Sequence, residues 1–184
     1  MTMVKKENIW NVPNILTMLR IALIGVFIWQ FAMGHHIWAM SIFLIASATD
    51  ILDGYIARKY NLITNFGKLM DPLADKLMLI TALICLTTAR LVPPWVVIVV
   101  VLKELQMVVG GYFLLGRGIV VSSKLIGKLA TVLFSVAVVA TFLHEYLAPW
   151  DFYLQIAALV LSIAAMVWYQ VQAIRMLKQK SSAG

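Results

Sequence analysis

The sequence predicts an all-α integral membrane protein built as a bundle of six transmembrane helices. Three observations lead there. Hydrophobic residues make up 62% of the 184 positions, well above the roughly one half usual in soluble domains, and mean hydropathy is +0.93. Charged residues account for only 12%. The apolar residues fall into six runs, each near the ~20 residues that cross a bilayer as a helix, and the connections are too short to hold another domain. Residues 1–180 therefore read as one membrane domain, and Ser181-Ser182-Ala183-Gly184 as a polar tail.

The runs lie near 13–33, 37–59, 68–90, 94–115, 124–145 and 150–176. Before the first, Thr2 to Trp10 sets Lys5, Lys6 and Glu7 beside Ile9 and Trp10, a composition equally suited to a short interfacial helix and to a frayed end. The first run has spanning length and no clear small-residue cleavage site, so it is expected to stay as the first span. The loops then set orientation. Lys5/Lys6, Arg58/Lys59, Arg117 with Lys124, and Arg175/Lys178/Lys180 alternate with loops that hold His35/His36, Arg90 alone, and Glu145/Asp151. Because Lys and Arg accumulate on cytoplasmic loops, a multi-pass cell-membrane protein with both termini cytoplasmic is expected. Trp29, Trp38, Trp95 and Trp150 then fall near the opposite face, at the headgroup depth that indoles favour.

The net charge of +7 comes from fifteen Lys plus Arg against eight acids. These cations are scattered at the ends of apolar runs instead of forming one exposed stripe, which argues against nucleic acid and for anionic lipid headgroups as their partners. Cys85 is the one cysteine and sits in an apolar run, so a disulfide within the chain and a cysteine-based metal site are excluded.

Four of the five aspartates lie between positions 50 and 75, inside runs otherwise apolar enough to span. A carboxylate at membrane depth costs about 2.5–3.5 kcal/mol even on lenient insertion scales, so it persists where it is paired, bound to metal or facing water. Asp50 and Asp53 are three apart and Asp71 and Asp75 four apart, so each pair shares one helical face. Asp50 stands about nine residues before the intervening loop and Asp75 about nine after it, which puts both about 13 Å from it along their helices. All-oxygen ligands in this number suit a hard cation, Mg²⁺ or alternatively Mn²⁺, and suffice for two ions. Two ions are the usual means of stabilising both attacking and leaving oxygens in phosphoryl chemistry. Gly54, Ala57 and Gly67 keep the surface beside the acids free of bulk, either for a ligand or for close helix packing. Arg58 offers a permanent cation whose fork matches diphosphate oxygens, or else an interfacial anchor.

Asp50-x-x-Asp53-Gly54-x-x-Ala57-Arg58, then eight residues, then Gly67-x-x-x-Asp71-x-x-x-Asp75 resembles the signature of the CDP-alcohol phosphatidyltransferase family at every fixed position. The resemblance implies metal-dependent transfer of a phosphatidyl group from CDP-diacylglycerol to an alcohol, with CMP leaving. It implies Asp50, Asp53 and Asp71 as metal ligands, and Asp75 as a ligand and the general base for the acceptor hydroxyl. Gly54, Ala57, Arg58 and Gly67 would line the site for the cytidine diphosphate part of the donor. A cytoplasmic active site is expected, and a two-fold homodimer, for which the uninterrupted apolar faces leave room.

The acceptor has to be read elsewhere. Val12-Pro13-Asn14-Ile15-Leu16-Thr17-Met18-Leu19-Arg20 places Asn14, Thr17 and Arg20 three apart at the start of the first span, and resembles the opening of bacterial phosphatidylglycerophosphate synthases and of related cardiolipin synthases. Asn14 and Thr17 equally suit a helix start and a packing contact. Lys103, and Lys124 with Lys128 four positions on, supply cations that could clamp an anionic headgroup. The alternatives are compensation of Lys103 by Glu104, and snorkelling by Lys124 and Lys128. Arg20, Lys103, Lys124 and Lys128 are thus the expected acceptor residues, with glycerol 3-phosphate as acceptor. Members of this kind commonly carry Arg-Glu where this chain has Lys103-Glu104, and Gly-Lys-x-Lys-Thr where it has Gly127-Lys128-Leu129-Ala130-Thr131. The absent fork and the absent cation keep phosphatidylglycerol, the acceptor of cardiolipin synthases, as the alternative. A cation transporter would also account for intramembrane aspartates, but it gives no reason for Gly54, Ala57, Arg58 and Gly67 at these spacings.

Overall fold

The computed structural model describes residues 11–60, 64–116 and 125–182, and among these every regular element is a helix. In chain order they are α1 (Val12–Ala32), α2 (His36–Lys59), α3 (Asn65–Thr88), α4 (Pro94–Gly116), α5 (Leu125–Phe142), α6 (His144–Leu147) and α7 (Trp150–Ser182). The segment before Asn11, with Lys5 and Lys6, lies outside the described residues, as do Arg117 and Lys124.

Five helices are long and apolar enough to cross a membrane: α1, α2, α4, α5 and α7. The chain is a multi-pass membrane protein. The remaining expected span, 68–90, corresponds to α3, whose 24 residues give about 36 Å of helix. Its first half carries Lys68, Asp71, Asp75 and Lys76, more charge than an ordinary lipid-facing span tolerates. The short α6 has no counterpart among the expected spans, and α7 continues through Ser182, into the segment expected to be a polar tail.

Chain punctuation follows local chemistry. At the start of α1 the Asn14 N–H donates to the Asn11 side chain at 3.0 Å, and Pro13 occupies a first-turn position that needs no N–H donor. The helix ends in a Schellman motif: the Gly34 N–H donates to the Phe31 carbonyl and the His35 N–H to the Gln30 carbonyl, both at 3.0 Å. Gly34 holds φ at 77°, a left-handed conformation that costs glycine no Cβ clash. Beyond α3 the same pattern recurs, with Arg90 N–H to Thr87 O at 2.9 Å and Leu91 N–H to Leu86 O at 3.0 Å. There the left-handed residue is Arg90, at φ 61°.

The chain divides into two compact units, Met1–Cys85 and Leu86–Gly184. In the first, α1 and α2 form an antiparallel pair. Phe27 and Phe31 from α1 and Ala39, Phe43 and Ala46 from α2 are buried; the two alanines let the backbones approach closely. In the second, α5 pairs with α7 through Ala130, Phe134, Ala137, Ala158 and Ala165, all buried. Gly127 permits the closest approach, since a Cβ there would lie 2.6 Å from Tyr169 Oη. Near the other end of the same pair, buried Gln155 donates through Nε2 to Thr141 Oγ1 at 2.5 Å, and His144 Nδ1 lies 2.8 Å from the buried Asp151 Oδ2.

Candidate active site

The buried face of α2 changes character along its length. Ala39, Phe43 and Ala46 are followed, at continuing helical spacing, by Asp50 and Asp53. Opposite them the buried face of α1 runs from Phe31 and Phe27 to Arg20, Thr17 and Asn14, so polar residues meet polar residues. Arg20 is 1% exposed. Its Nη1 lies 2.8 Å from Asp50 Oδ1, its Nη2 donates to Asp53 Oδ2 at 2.5 Å, and its Nε donates to the Ala46 carbonyl at 3.3 Å. One guanidinium thus bridges the two acids that the sequence sets three residues apart. Its planar fork makes this possible where a lysine could not.

The next turns of α1 reach α3. The Thr17 hydroxyl donates to Asp71 Oδ1 at 2.5 Å and also sits 3.1 Å from the Pro13 carbonyl. Thr64 precedes α3 and caps it: its Oγ1 accepts the Gly67 N–H at 3.0 Å, while its own hydroxyl donates to Asn14 Oδ1 at 3.0 Å. Gly67 is buried in this junction. A Cβ there would meet Asn14 Oδ1 at 2.9 Å, Thr64 Oγ1 at 3.2 Å and Asp71 Oδ2 at 3.6 Å, so the room glycine leaves is occupied by α1 and the cap.

Asp50, Asp53 and Asp71 stand within Coulombic range of one another, and Asp50 and Asp53 within range of Arg20. Asp53 is 2% exposed, whereas the Asp50 side chain is 38% exposed. Asp71 and Asp75 are half-buried. Among the described residues no three acidic, histidine or cysteine side chains are gathered as tightly as a bound ion would hold them; like-charge repulsion opposes closer approach. The donor set nevertheless fits a hard cation. It is all carboxylate, and the α1 contacts of Asp50, Asp53 and Asp71 each occupy a single oxygen of the acid, Oδ1, Oδ2 and Oδ1 respectively.

Of the other expected site residues, Gly54 and Ala57 lie half-buried on α2 after Asp53, and Arg58 belongs to the same helix, its side chain outside the described residues. Lys103 and Lys128 belong to the second unit. Lys103 Nζ is 2.6 Å from Glu104 Oε1, and Lys128 is exposed near the start of α5. The structure sets Asp50 and Asp53 against Arg20 and Asp71 against Thr17, and so ties Arg20 to acids, not to open space. Two contributors escape the sequence reading. Thr64 carried the signal of a cap residue three positions before Gly67. Pro72, inside α3 between Asp71 and Asp75, removes one N–H from the helical ladder where the acids sit.

The profile of the CDP-alcohol phosphatidyltransferase family matches residues 10–168. A Bacillus subtilis (strain 168) protein named CDP-diacylglycerol–glycerol-3-phosphate 3-phosphatidyltransferase is 42% identical over 151 residues, covering 74% of this chain and 78% of the relative. A Mycobacterium tuberculosis (strain ATCC 25618 / H37Rv) protein named probable phosphatidylglycerophosphate synthase is 34% identical over 168 residues, covering 88% of this chain and 78% of the relative. A Streptomyces coelicolor protein named cardiolipin synthase (CMP-forming) is 32% identical over 114 residues, covering 59% of this chain and 53% of the relative.

Proposed function

Because the chain belongs to the CDP-alcohol phosphatidyltransferase family, we propose that it transfers the phosphatidyl group of CDP-diacylglycerol to glycerol 3-phosphate, forming phosphatidylglycerophosphate and releasing CMP. The reaction class is carried by Asp50, Asp53 and Asp71, braced from α1 inside a membrane bundle. The choice of acceptor follows the extent of similarity. Relatives named for phosphatidylglycerophosphate formation align over 74% and 88% of this chain, and the cardiolipin synthase over 59%. Transfer to phosphatidylglycerol remains the second reading, favoured by Lys103 standing where a forked arginine is usual and being taken up by Glu104.

In this reading Asp50, Asp53, Asp71 and Asp75 would hold two Mg²⁺ ions, with Mn²⁺ as an equivalent. Bound there, the metal supplies positive charge for the attacking and leaving oxygens. Asp75 takes the proton of the acceptor hydroxyl. The acceptor oxygen forms a bond to the lipid-side phosphorus as the bond from that phosphorus to the bridging oxygen breaks, and the electron pair leaves with CMP. Gly54 and Ala57 leave room beside the acids for the cytidine diphosphate, Gly67 sets the start of α3, and Arg58 pairs with the diphosphate. Lys124 and Lys128, with Lys103, contribute positive charge for the acceptor phosphate.

The reading includes α3 as a sixth span, which an even number of crossings requires if both termini are cytoplasmic. The positive-inside pattern supports that orientation and a cytoplasmic site. Exposed apolar side chains on α4, among them Ile98, Leu102, Leu105 and Tyr112, suit contact with lipid, including anionic lipid at the helix ends, or with a second copy in a homodimer.

The test is to incubate the purified protein with CDP-diacylglycerol, Mg²⁺ and, separately, glycerol 3-phosphate or phosphatidylglycerol, following CMP release and lipid product. Phosphatidylglycerophosphate is the expected product. Cardiolipin as the only product would select the second reading. CMP release no greater than that of Asp75→Asn with either acceptor would defeat both.

A further inference from the structure

We infer that Thr17 and Arg20 are positioning residues of the metal centre, each fixing one oxygen of an aspartate so that its other oxygen is presented for coordination. The inference rests on the proposed metal site and assigns α1 a part in it. Asp50 gives Oδ1 to Arg20 at 2.8 Å, Asp53 gives Oδ2 to Arg20 at 2.5 Å, and Asp71 gives Oδ1 to Thr17 at 2.5 Å. The remaining oxygens, Asp50 Oδ2, Asp53 Oδ1 and Asp71 Oδ2, accept no hydrogen bond or ion pair among the described residues. Three acids on two helices are therefore treated alike from a third helix. Carboxylates that bind metal are commonly oriented in this way by an outer partner on the second oxygen.

The two positioning groups sit three residues apart on α1 and are 0% and 1% exposed. Burial removes the side-chain freedom that would let the acids swing away. It also gives Arg20 a role different from holding the acceptor. Among the described residues its hydrogen bonds and ion pairs run to α2, through Ala46, Asp50 and Asp53. A guanidinium 1% exposed and turned toward these acids is poorly placed to take a soluble phosphate.

Metal binding can be measured without turnover. Mn²⁺ is titrated into purified protein in lipid nanodiscs, with no donor or acceptor, and bound ion is read by electron paramagnetic resonance. Thr17→Val keeps the shape and loses the donor; Thr17→Ser keeps the donor. Arg20→Lys keeps the charge and loses the fork. Thr17→Val and Arg20→Lys are expected to weaken Mn²⁺ binding about 10-fold or more, and Thr17→Ser to bind as the parent does. Should Thr17→Val fail to fold, as judged by size-exclusion profile and thermal unfolding, Arg20→Lys decides alone. Parent-like Mn²⁺ affinity in both variants, with a raised KM for glycerol 3-phosphate in Arg20→Lys, would overturn the inference and return Arg20 to the acceptor. A parent protein that binds no Mn²⁺ would instead defeat the metal site itself.

Discussion

Replacing Gly67 with alanine sets two opposing effects against each other. In a helix the alanine is favoured by about 1 kcal/mol over glycine. Here, however, its Cβ would stand 2.9 Å from Asn14 Oδ1, roughly 0.5 Å inside ordinary van der Waals contact. Asn14 is 1% exposed and has nowhere open to move. If its oxygen retreats by that amount, the 3.0 Å bond from Thr64 stretches beyond hydrogen-bonding distance. Overpacking of this kind costs about 1–3 kcal/mol, and a lost bond adds about 0.5–1.5 kcal/mol. The expected net result is destabilisation by about 1–3 kcal/mol, after the helix gain is deducted. Because Thr64 caps α3 and Asp71 lies one turn on, displacement of the cap moves a proposed ligand. A misplacement of 1 Å can cost about 100-fold in rate, so a loss near 10-fold in CMP release is expected. Gly110→Ala, where a Cβ meets nothing within 4 Å, serves as the control: it takes the helix gain without a clash, and should keep activity and raise Tm. A Gly67→Ala protein with parent-like CMP release and a raised Tm would refute the reasoning, since helix propensity would then be the only effect at work.

Three further outcomes can be checked with the same preparations. Gly127→Ala should lower Tm, because its Cβ would lie 2.6 Å from Tyr169 Oη; adding Tyr169→Phe leaves ring carbons at 3.2 Å and beyond and should recover part of the loss, whereas additive losses would exclude the clash. Thr141→Val leaves the Gln155 amide without its 2.5 Å acceptor and should destabilise by about 1–3 kcal/mol in thermal or denaturant unfolding; Thr141→Ser should behave as the parent. Exhaustive chelation should abolish CMP release, with recovery on adding Mg²⁺ or Mn²⁺, and activity that survives it would count against the carboxylates as a metal site.

The helices were legible because membrane spans announce themselves through composition, and five of the six expected runs are helices that meet the spanning criteria. α3 does not, and the reason is the chemistry: Asp71, Asp75 and Lys76 lie in the part of the helix a span would need to keep apolar. The pairing of acids on α2 and α3 could be read from spacing, since helical period fixes which residues share a face. What a face meets cannot be read that way. Asn14, Thr17 and Arg20 recur every three residues, a stripe that serves a ligand and a neighbouring helix equally well. Only the packing of α1 on α2 turns Arg20 toward Asp50 and Asp53. Gly67 is similar: small size beside an acid reads as room for a substrate, and here the room holds Asn14 and Thr64. The end of α3, Thr88 against an expected 90, was legible from composition, but its cap geometry was not. The left-handed position that glycine usually marks is filled by Arg90, so the motif carries no glycine signal.

Charge at the cluster couples the binding of metal to that of the donor. If all four aspartates are ionised and Arg20 is their guanidinium partner, the group carries a net charge of −3. The donor brings a diphosphate of the same sign, and in a membrane of low dielectric such repulsion is little screened. Two Mg²⁺ ions would turn the group to a net charge of +1, and attraction then replaces repulsion. Arg20 cannot do this alone, because its charge is already shared between Asp50 and Asp53. On the proposed two-ion reading, metal and donor therefore bind cooperatively, and CDP-diacylglycerol without metal should bind at least about 10-fold more weakly, a shift equivalent to about 1.4 kcal/mol. Equilibrium binding of a fluorescent CDP-diacylglycerol analogue, with Mg²⁺ and with chelator, measures the difference. Equal affinity in the two conditions would mean that Arg58 and the backbone hold the diphosphate without help from the carboxylates.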